Sequence, residues 1–238
     1  MLDHVDIRVS DVEASRRFYD TVFAVLGKGL AEDSETHADW RDFAVHADGE
    51  PVTRRLHIAF HAPRELVDAF HRAGVEAGYA DDGAPGPRPQ YSPEYYGAFL
   101  KDPDGNSVEA CFTGNERKAG AIDHLWLRVA DVAASTRFYE TIAPALGYEL
   151  VRHSDAHTQL RCPALSVSFV AGEPSEHVHF AFRAPDDETV RAFHAAAVQA
   201  GYTDNGAPGE RPHYHPGYYG AFVLDPDGNN VEAVNHNL

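Results

Sequence analysis

The chain has 238 residues, 43% of them hydrophobic and 24% charged, which is the composition of an ordinary globular protein with room for one large core or two modest ones. Its 20 basic and 37 acidic residues give a net charge of −17, which argues against nucleic acid and against an anionic membrane surface as main partners. That acidity suits a cationic ligand or a simply solvated surface. No apolar run precedes the first strand and no stretch is long enough to span a bilayer, so the expectation is a soluble, cytoplasmic protein.

The first predicted element is a strand over 3–10, where Val5, Ile7 and Val9 alternate with His4, Asp6 and Arg8. Ser10 and Glu13 have capping-box spacing, and Phe18, Tyr19, Val22, Phe23 and Leu26 then repeat as one helical face that Gly27 can close. Short strands run to about Asp48. A strand over 56–62 leads into a helix near 63–77, predicted to bury Leu66, Val67, Phe70 and Val75 and to end at Gly78. A Gly/Pro-rich segment follows. Then come a strand over 95–100, a turn at Asp102–Gly105 and a last strand over 107–112.

The second half repeats this order. A strand spans 123–130, a helix face carries Phe138, Tyr139, Ile142 and Leu146, a strand spans 178–183, and a helix lies near 185–200. The copy is closest where Asp82–Glu109 and Asn205–Glu232 align without a gap and agree at 20 of 28 positions. The chain therefore divides into a module over 1–112, a polar linker over 113–121 (TGNERKAGA) and a module over 122–238. Cys111 and Cys162 hold non-equivalent places in the two modules, which is no disulfide framework. In each half one sheet face packs on helices and the other is polar and concave, as a ligand cup requires.

Strand alternation puts two histidines and one glutamate on the polar face of each half. His4, His57 and Glu109 lie opposite apolar neighbours in the first, and His124, His179 and Glu232 in the second. Two histidines and a carboxylate with open positions make a divalent-metal site. His177 shares a face with His179, but His179 aligns with His57 through HIAF and HFAF. His37, His46, His71, His153, His157, His194 and His236 read as ordinary polar residues.

The pair DHVDIRVSDVEASRRFY and DHLWLRVADVAASTRFY, with the endings DPDGNSVE and DPDGNNVE, resembles the vicinal oxygen chelate superfamily. That superfamily includes glyoxalase I, extradiol ring-cleaving dioxygenases, fosfomycin-inactivating enzymes and bleomycin-binding proteins. The resemblance covers nearly the whole chain as two modules. It implies an α+β fold of paired βαβββ units forming cupped mixed sheets. It also implies a divalent metal that chelates two oxygens of a small substrate, with the six residues above at the family's ligand positions. Some members complete a cup with strands exchanged between modules. His4 then shares a metal with His179 and Glu232, and His124 with His57 and Glu109.

Glyoxalase I-like enzymes use a further acidic ligand, and the matching stretches here, RDFAVH (41–46) and ALSVSFV (164–170), carry no carboxylate on the strand. A three-ligand site favours Fe²⁺ and oxygenase chemistry, with Zn²⁺, Ni²⁺, Mn²⁺ and Co²⁺ as other occupants. The extradiol pattern implies an acid/base histidine ahead of the last strands, where the second half has His213 and His215 and the first has Gln90 and Ser92. It also implies a tyrosine where this chain has Phe99 and Phe222; Tyr95, Tyr96, Tyr218 and Tyr219 stand close by, and Tyr219 is assigned the role. Three readings follow. One is a metal-dependent oxygenase with His213 or His215 moving a proton. Another is an isomerase, lyase or thiol transferase that uses the metal as a Lewis acid. The third is a metal-free protein that sequesters an aromatic or cationic compound. The second module, with its loop histidines, is the expected seat of catalysis, and the chain is either a monomer or a homodimer.

Overall fold

A computed structural model describes residues 2–114, 118–162 and 165–237. Residues 115–117 of the expected linker and Ala164 of the ALSVSFV stretch lie outside the described residues. The elements are β1 (Leu2–Arg8), α1 (Val12–Val25), β2 (Glu32–Asp33), β3 (His37–Asp39), β4 (Phe43–His46), β5 (His57–His61), α2 (Arg64–Glu76), β6 (Asp81–Pro87), β7 (Tyr96–Lys101) and β8 (Ser107–Phe112). The second half supplies β9 (Ile122–Val129), α3 (Val132–Leu146), β10 (Glu149–Ser154), β11 (His157–Cys162), β12 (Leu165–Ala171), β13 (Val178–Arg183), α4 (Asp187–Gln199), β14 (Asp204–Glu210), β15 (Tyr219–Leu224) and β16 (Asn230–Asn235). Among the described residues no helix is long and apolar enough to cross a membrane.

Two compact units result, and their limits differ from those of the sequence repeat. An N-terminal unit holds Asp6–Leu125, and a C-terminal unit holds Trp126–Leu238 together with Met1–Val5. The division falls inside β1 and β9, so the start of each strand, with that module's first histidine, belongs to the other module's unit.

In the N-terminal unit, β5 and β8 run parallel while β6, β7 and β8 pair antiparallel, and the start of β9 lies beside β5. The sheet is mixed because α2 carries the chain across between β5 and the next strands. Helix α1 packs an aromatic core on β5 and β4, in which Phe23 and Phe60 meet at 4.7 Å and Tyr19 and Phe43 at 4.6 Å. The C-terminal unit repeats the arrangement with β13, β16, β15 and β14, and with the start of β1 beside β13. Its core stacks Tyr139 on Phe169 at 3.8 Å.

Three expectations are corrected. Asp11, not Ser10, caps α1 by accepting from the Ala14 amide, while the Ser10 amide donates to Asp104. Val75 is 44% exposed, because α2 meets β7 at Gly74, where a Cβ would lie 2.3 Å from Leu100 Cδ1. The Gly/Pro-rich segments are edge strands, β6 and β14, with register shifts that let a strand hold proline without a lost ladder bond.

The repeated DPDGN turn sets the register on which the site depends. Asp102 is buried and accepts from the Asp104 and Asn106 amides, the Asn106 side chain and the Tyr19 hydroxyl. Asn106 Oδ1 then accepts from the Leu56 amide at 3.1 Å, one residue before His57. Asn229 does the same for Val178, one residue before His179. Each turn thereby fixes the parallel pairing that brings a β5 or β13 histidine beside the glutamate of β8 or β16.

Candidate metal centres

In the N-terminal unit, His57 on β5, Glu109 on β8 and His124 on β9 converge. His57 Nε2 lies 3.1 Å and His124 Nε2 3.4 Å from Glu109 Oε2, and the two nitrogens are 3.4 Å apart. In the C-terminal unit, His179 on β13, Glu232 on β16 and His4 on β1 do the same. His179 Nε2 is 3.0 Å and His4 Nε2 3.5 Å from Glu232 Oε2. Of the two groupings the sequence allowed, the exchanged one is found: each cluster takes its first histidine from the other module.

These separations match one face of a coordination sphere. Ligands about 2.1 Å from a metal lie about 3.0 Å apart at right angles and about 3.4 Å apart at tetrahedral angles. The tautomers agree. Asp123 accepts from His124 Nδ1 at 3.0 Å, and Asp3 accepts from His4 Nδ1 at 3.0 Å. Ser107 donates its hydroxyl to Asp82 and so accepts from His57 Nδ1 at 3.1 Å. With the Nδ1 hydrogen held in this way, each of these rings keeps Nε2 for the cation beside the glutamate, a proton without metal or the metal itself.

The glutamates are fully buried and ionised. Burial alone raises a carboxyl's pKa, but the bonds from His124 and His57 outweigh it and hold Glu109 at about 2. The bonds from His179 and His4 hold Glu232 at about 2 in the same way. Burial lowers the His124 pKa, but Asp123, Cys111 and Glu109 raise it well above the ordinary value. The pocket therefore favours positive charge at the spot where the three ligand atoms meet. A buried carboxylate facing imidazole lone pairs is stable only with a cation between them, whether proton or metal.

Two further residues in each unit shape the carboxylate. Tyr95 donates its hydroxyl to Glu109 Oε1 at 2.8 Å, and Tyr218 to Glu232 Oε1 at 2.6 Å. Burial pushes both phenols far up, so they stay donors and leave Oε2 to the histidines. Gly97 and Gly220 make the room: a Cβ there would lie 2.4 Å from Glu109 Oε1 and 2.6 Å from Glu232 Oε1. Phe99 and Phe222 wall the clusters, with ring centroids 5.9 Å from His57 and from His179.

Cys111, Asp123 and His124 also approach one another. Burial pushes the Cys111 thiol up to about 12, so it braces His124 as a neutral group.

The residues assigned to proton transfer lie outside the clusters. Tyr219 points to the α4 face, where Arg191 donates to its hydroxyl at 3.2 Å; Tyr218 holds the place beside Glu232. His213 is exposed and packs on Tyr214 at 4.3 Å. His215 contacts the Pro216 carbonyl and His236, each at 2.8 Å. Sequence reasoning named Tyr95 and Tyr218 as neighbours but gave the role to Tyr219, and it passed over Gly97, Gly220, Asp3 and Asp123. The signal for the tyrosines and glycines is strand alternation counted back from Phe99 and Phe222, which puts Tyr95, Gly97, Tyr218 and Gly220 on the cluster face.

A family model described as Glyoxalase/Bleomycin resistance protein/Dioxygenase superfamily matches residues 1–110 and 121–233. No curated protein matches the chain. Among solved structures, glyoxalase I from Zea mays is similar with a TM-score of 0.69 and 20% identity, over 99% of this chain and 92% of that one. A putative dioxygenase from Bacillus subtilis subsp. subtilis str. 168 is similar with a TM-score of 0.67 and 13% identity, over 98% of this chain and 84% of that one. At these identities the likeness is one of fold.

Proposed function

Because the chain belongs to the Glyoxalase/Bleomycin resistance protein/Dioxygenase superfamily, we propose that it is a divalent-metal-dependent enzyme with one mononuclear centre in each unit. The centres are His57, Glu109 and His124, and His4, His179 and Glu232. The observation that carries this reading is the convergence of two imidazole nitrogens and one ionised carboxylate oxygen at 3.0–3.5 Å in each unit. Three ligands on one face leave the opposite face for a small substrate that binds through two neighbouring oxygens.

Fe(II) and O₂-dependent ring cleavage of a diol-like aromatic substrate is the favoured chemistry. Two histidines and a carboxylate with open positions are the donor set of non-haem iron oxygenases. Among the described residues neither cluster contains a second carboxylate of the kind glyoxalase I-like enzymes use as a further ligand. A bound iron would supply Lewis acidity and a redox centre. The chain's own groups do the rest. Tyr95 and Tyr218 keep the carboxylates oriented, Phe99 and Phe222 offer an apolar wall for an aromatic ring, and Asp3, Asp123 and Ser107 hold their histidines as lone-pair donors.

The test is metal content on protein purified without added metal or a histidine tag, followed by anaerobic Fe(II) reconstitution and an oxygen electrode with a panel of catechols. Two metals per chain and one O₂ consumed per substrate are expected. Turnover without O₂ on Zn²⁺, Ni²⁺ or Mn²⁺ would replace ring cleavage with Lewis-acid chemistry. No metal under any condition would leave a small-molecule binding protein.

A further inference from the structure

The two centres share their ligand types and the aspartate behind the first histidine, but not what holds that aspartate. In the C-terminal unit, Asp3 accepts from His4 Nδ1 through Oδ1. His236 Nε2 meets both oxygens of the same carboxylate, each at 2.9 Å. His236 Nδ1 in turn lies 2.8 Å from His215 Nε2, and the two rings stack at 5.0 Å and 16°. His215 Nδ1 is anchored on the Pro216 carbonyl. A carbonyl and a carboxylate only accept, so all of these bonds are satisfied together when the two rings carry three N–H hydrogens, and the contact to Asp3 is charge-assisted. Both rings also pack edge-on against Tyr218, at 5.3 Å and 5.4 Å, and Tyr218 holds Glu232. Two of the three ligands in this unit, His4 and Glu232, therefore rest on the same pair of histidines.

The other copy backs its aspartate differently: among the described residues the buried His61 stands behind Asp123, its Nδ1 4.0 Å from Asp123 Oδ2. The 28-residue alignment puts Ser92 at the place of His215, and its offset carried on puts Thr113 at that of His236. There Asp123 and Cys111 brace His124 instead. His236 is not needed to fill a sealed core. It is 18% exposed and lines an open cavity of about 760 Å³ with Arg183, Asp187 and Asn237.

We propose that His236 and His215 are positioning residues for the C-terminal centre alone, tethering the Asp3 carboxylate so that His4 keeps its Nε2 lone pair aimed at the metal. The inference rests on the metal reading above. Without His236, Asp3 loses the group that meets both its oxygens, and His4 loses the fixed acceptor behind it.

The experiment isolates each centre in the full chain. His57→Ala leaves the C-terminal centre and His179→Ala the N-terminal one. Co²⁺ dissociation constants are measured by chelator competition, with the cobalt d–d spectrum and the melting temperature recorded beside them. In the His57→Ala background, His236→Ala is expected to weaken Co²⁺ about tenfold, as losing a group behind a ligand does. It should also alter the spectrum. His236→Gln, which can still donate to Asp3 and accept from His215, should restore most of the loss. In the His179→Ala background neither change should matter. An unchanged constant in the first background, or an equal loss in both, overturns the positioning role while leaving the metal centres standing. Failure of both parent variants to bind Co²⁺ removes the metal reading and this inference with it.

Discussion

Gly220→Ala places one methyl group against the ligand Glu232 and the tyrosine that holds it. The added Cβ would stand 2.6 Å from Glu232 Oε1 and 3.1 Å from Tyr218 Cε1, where ordinary contact begins at 3.4 Å. The oxygen must retreat by 3.4 − 2.6 = 0.8 Å. Glu232 is fully buried and its Oε1 already holds the Tyr218 hydroxyl at 2.6 Å, so the retreat breaks or bends that bond and turns Oε2 away from His4 and His179. Overpacking of this kind costs about 1–3 kcal/mol, and each kcal/mol lowers the melting temperature of a domain this size by about 2–4 °C. Metal affinity at the C-terminal centre should fall about 10–100-fold, or about 1.4–2.7 kcal/mol. The assay is Co²⁺ competition in the His57→Ala background, with Gly29→Ala as control, since a Cβ at Gly29 meets nothing within 4 Å. Glu232→Asp shortens the same side chain. Its loss and that of Gly220→Ala should combine to less than their sum, because the shorter carboxylate gives the methyl group room. Parent-like affinity in Gly220→Ala, or strict additivity of the two changes, would refute the account of how the carboxylate is held.

Four further outcomes are expected. Tyr95→Phe removes a buried bond to a charged oxygen and should cost about 1.5–3 kcal/mol of Co²⁺ binding at the N-terminal centre, measured in the His179→Ala background, with the other centre unmoved. Glu109 and Glu232 titrate at about 2 in the fold against 4.5 ordinarily, so each contributes stability that is complete above pH 4.5 and is lost as pH falls toward 2. Urea midpoints of metal-free protein between pH 5 and 2 should therefore fall less steeply in Glu232→Gln than in the parent. Asp225 has the opposite sign: burial raises it to about 6, so its share of stability declines as pH rises from 4 to 6, and Asp225→Asn should flatten that part of the profile. Chelation should lower the melting temperature, since a ligand at a hundred times its dissociation constant stabilises by about 2.7 kcal/mol per site, and Glu109→Gln and Glu232→Gln should each remove one share.

Much of this was legible in the sequence because it is local. A strand alternates every two residues, so His57, Glu109, His179 and Glu232 could be assigned to the polar faces of their strands without knowing what those strands pair with. Helix α1 followed from its apolar spacing in the same way, and the repeat supplied the whole second half.

What the sequence could not decide depends on which strand lies beside which. His4 is equally close in pattern to His57 and His179, and only the pairing of β1 with β13 puts it 3.5 Å from Glu232, 228 residues along the chain. Tyr218 and Tyr219 are adjacent and alike; alternation from Phe222 favours Tyr218, and the fold puts its hydroxyl on Glu232 while Tyr219 meets Arg191. His236 reads as an ordinary polar residue at the end of the chain until the fold brings it to Asp3, 233 residues away. Local pattern names the side chains that can ligate; long-range strand pairing, which no short window of sequence records, decides which of them share a centre.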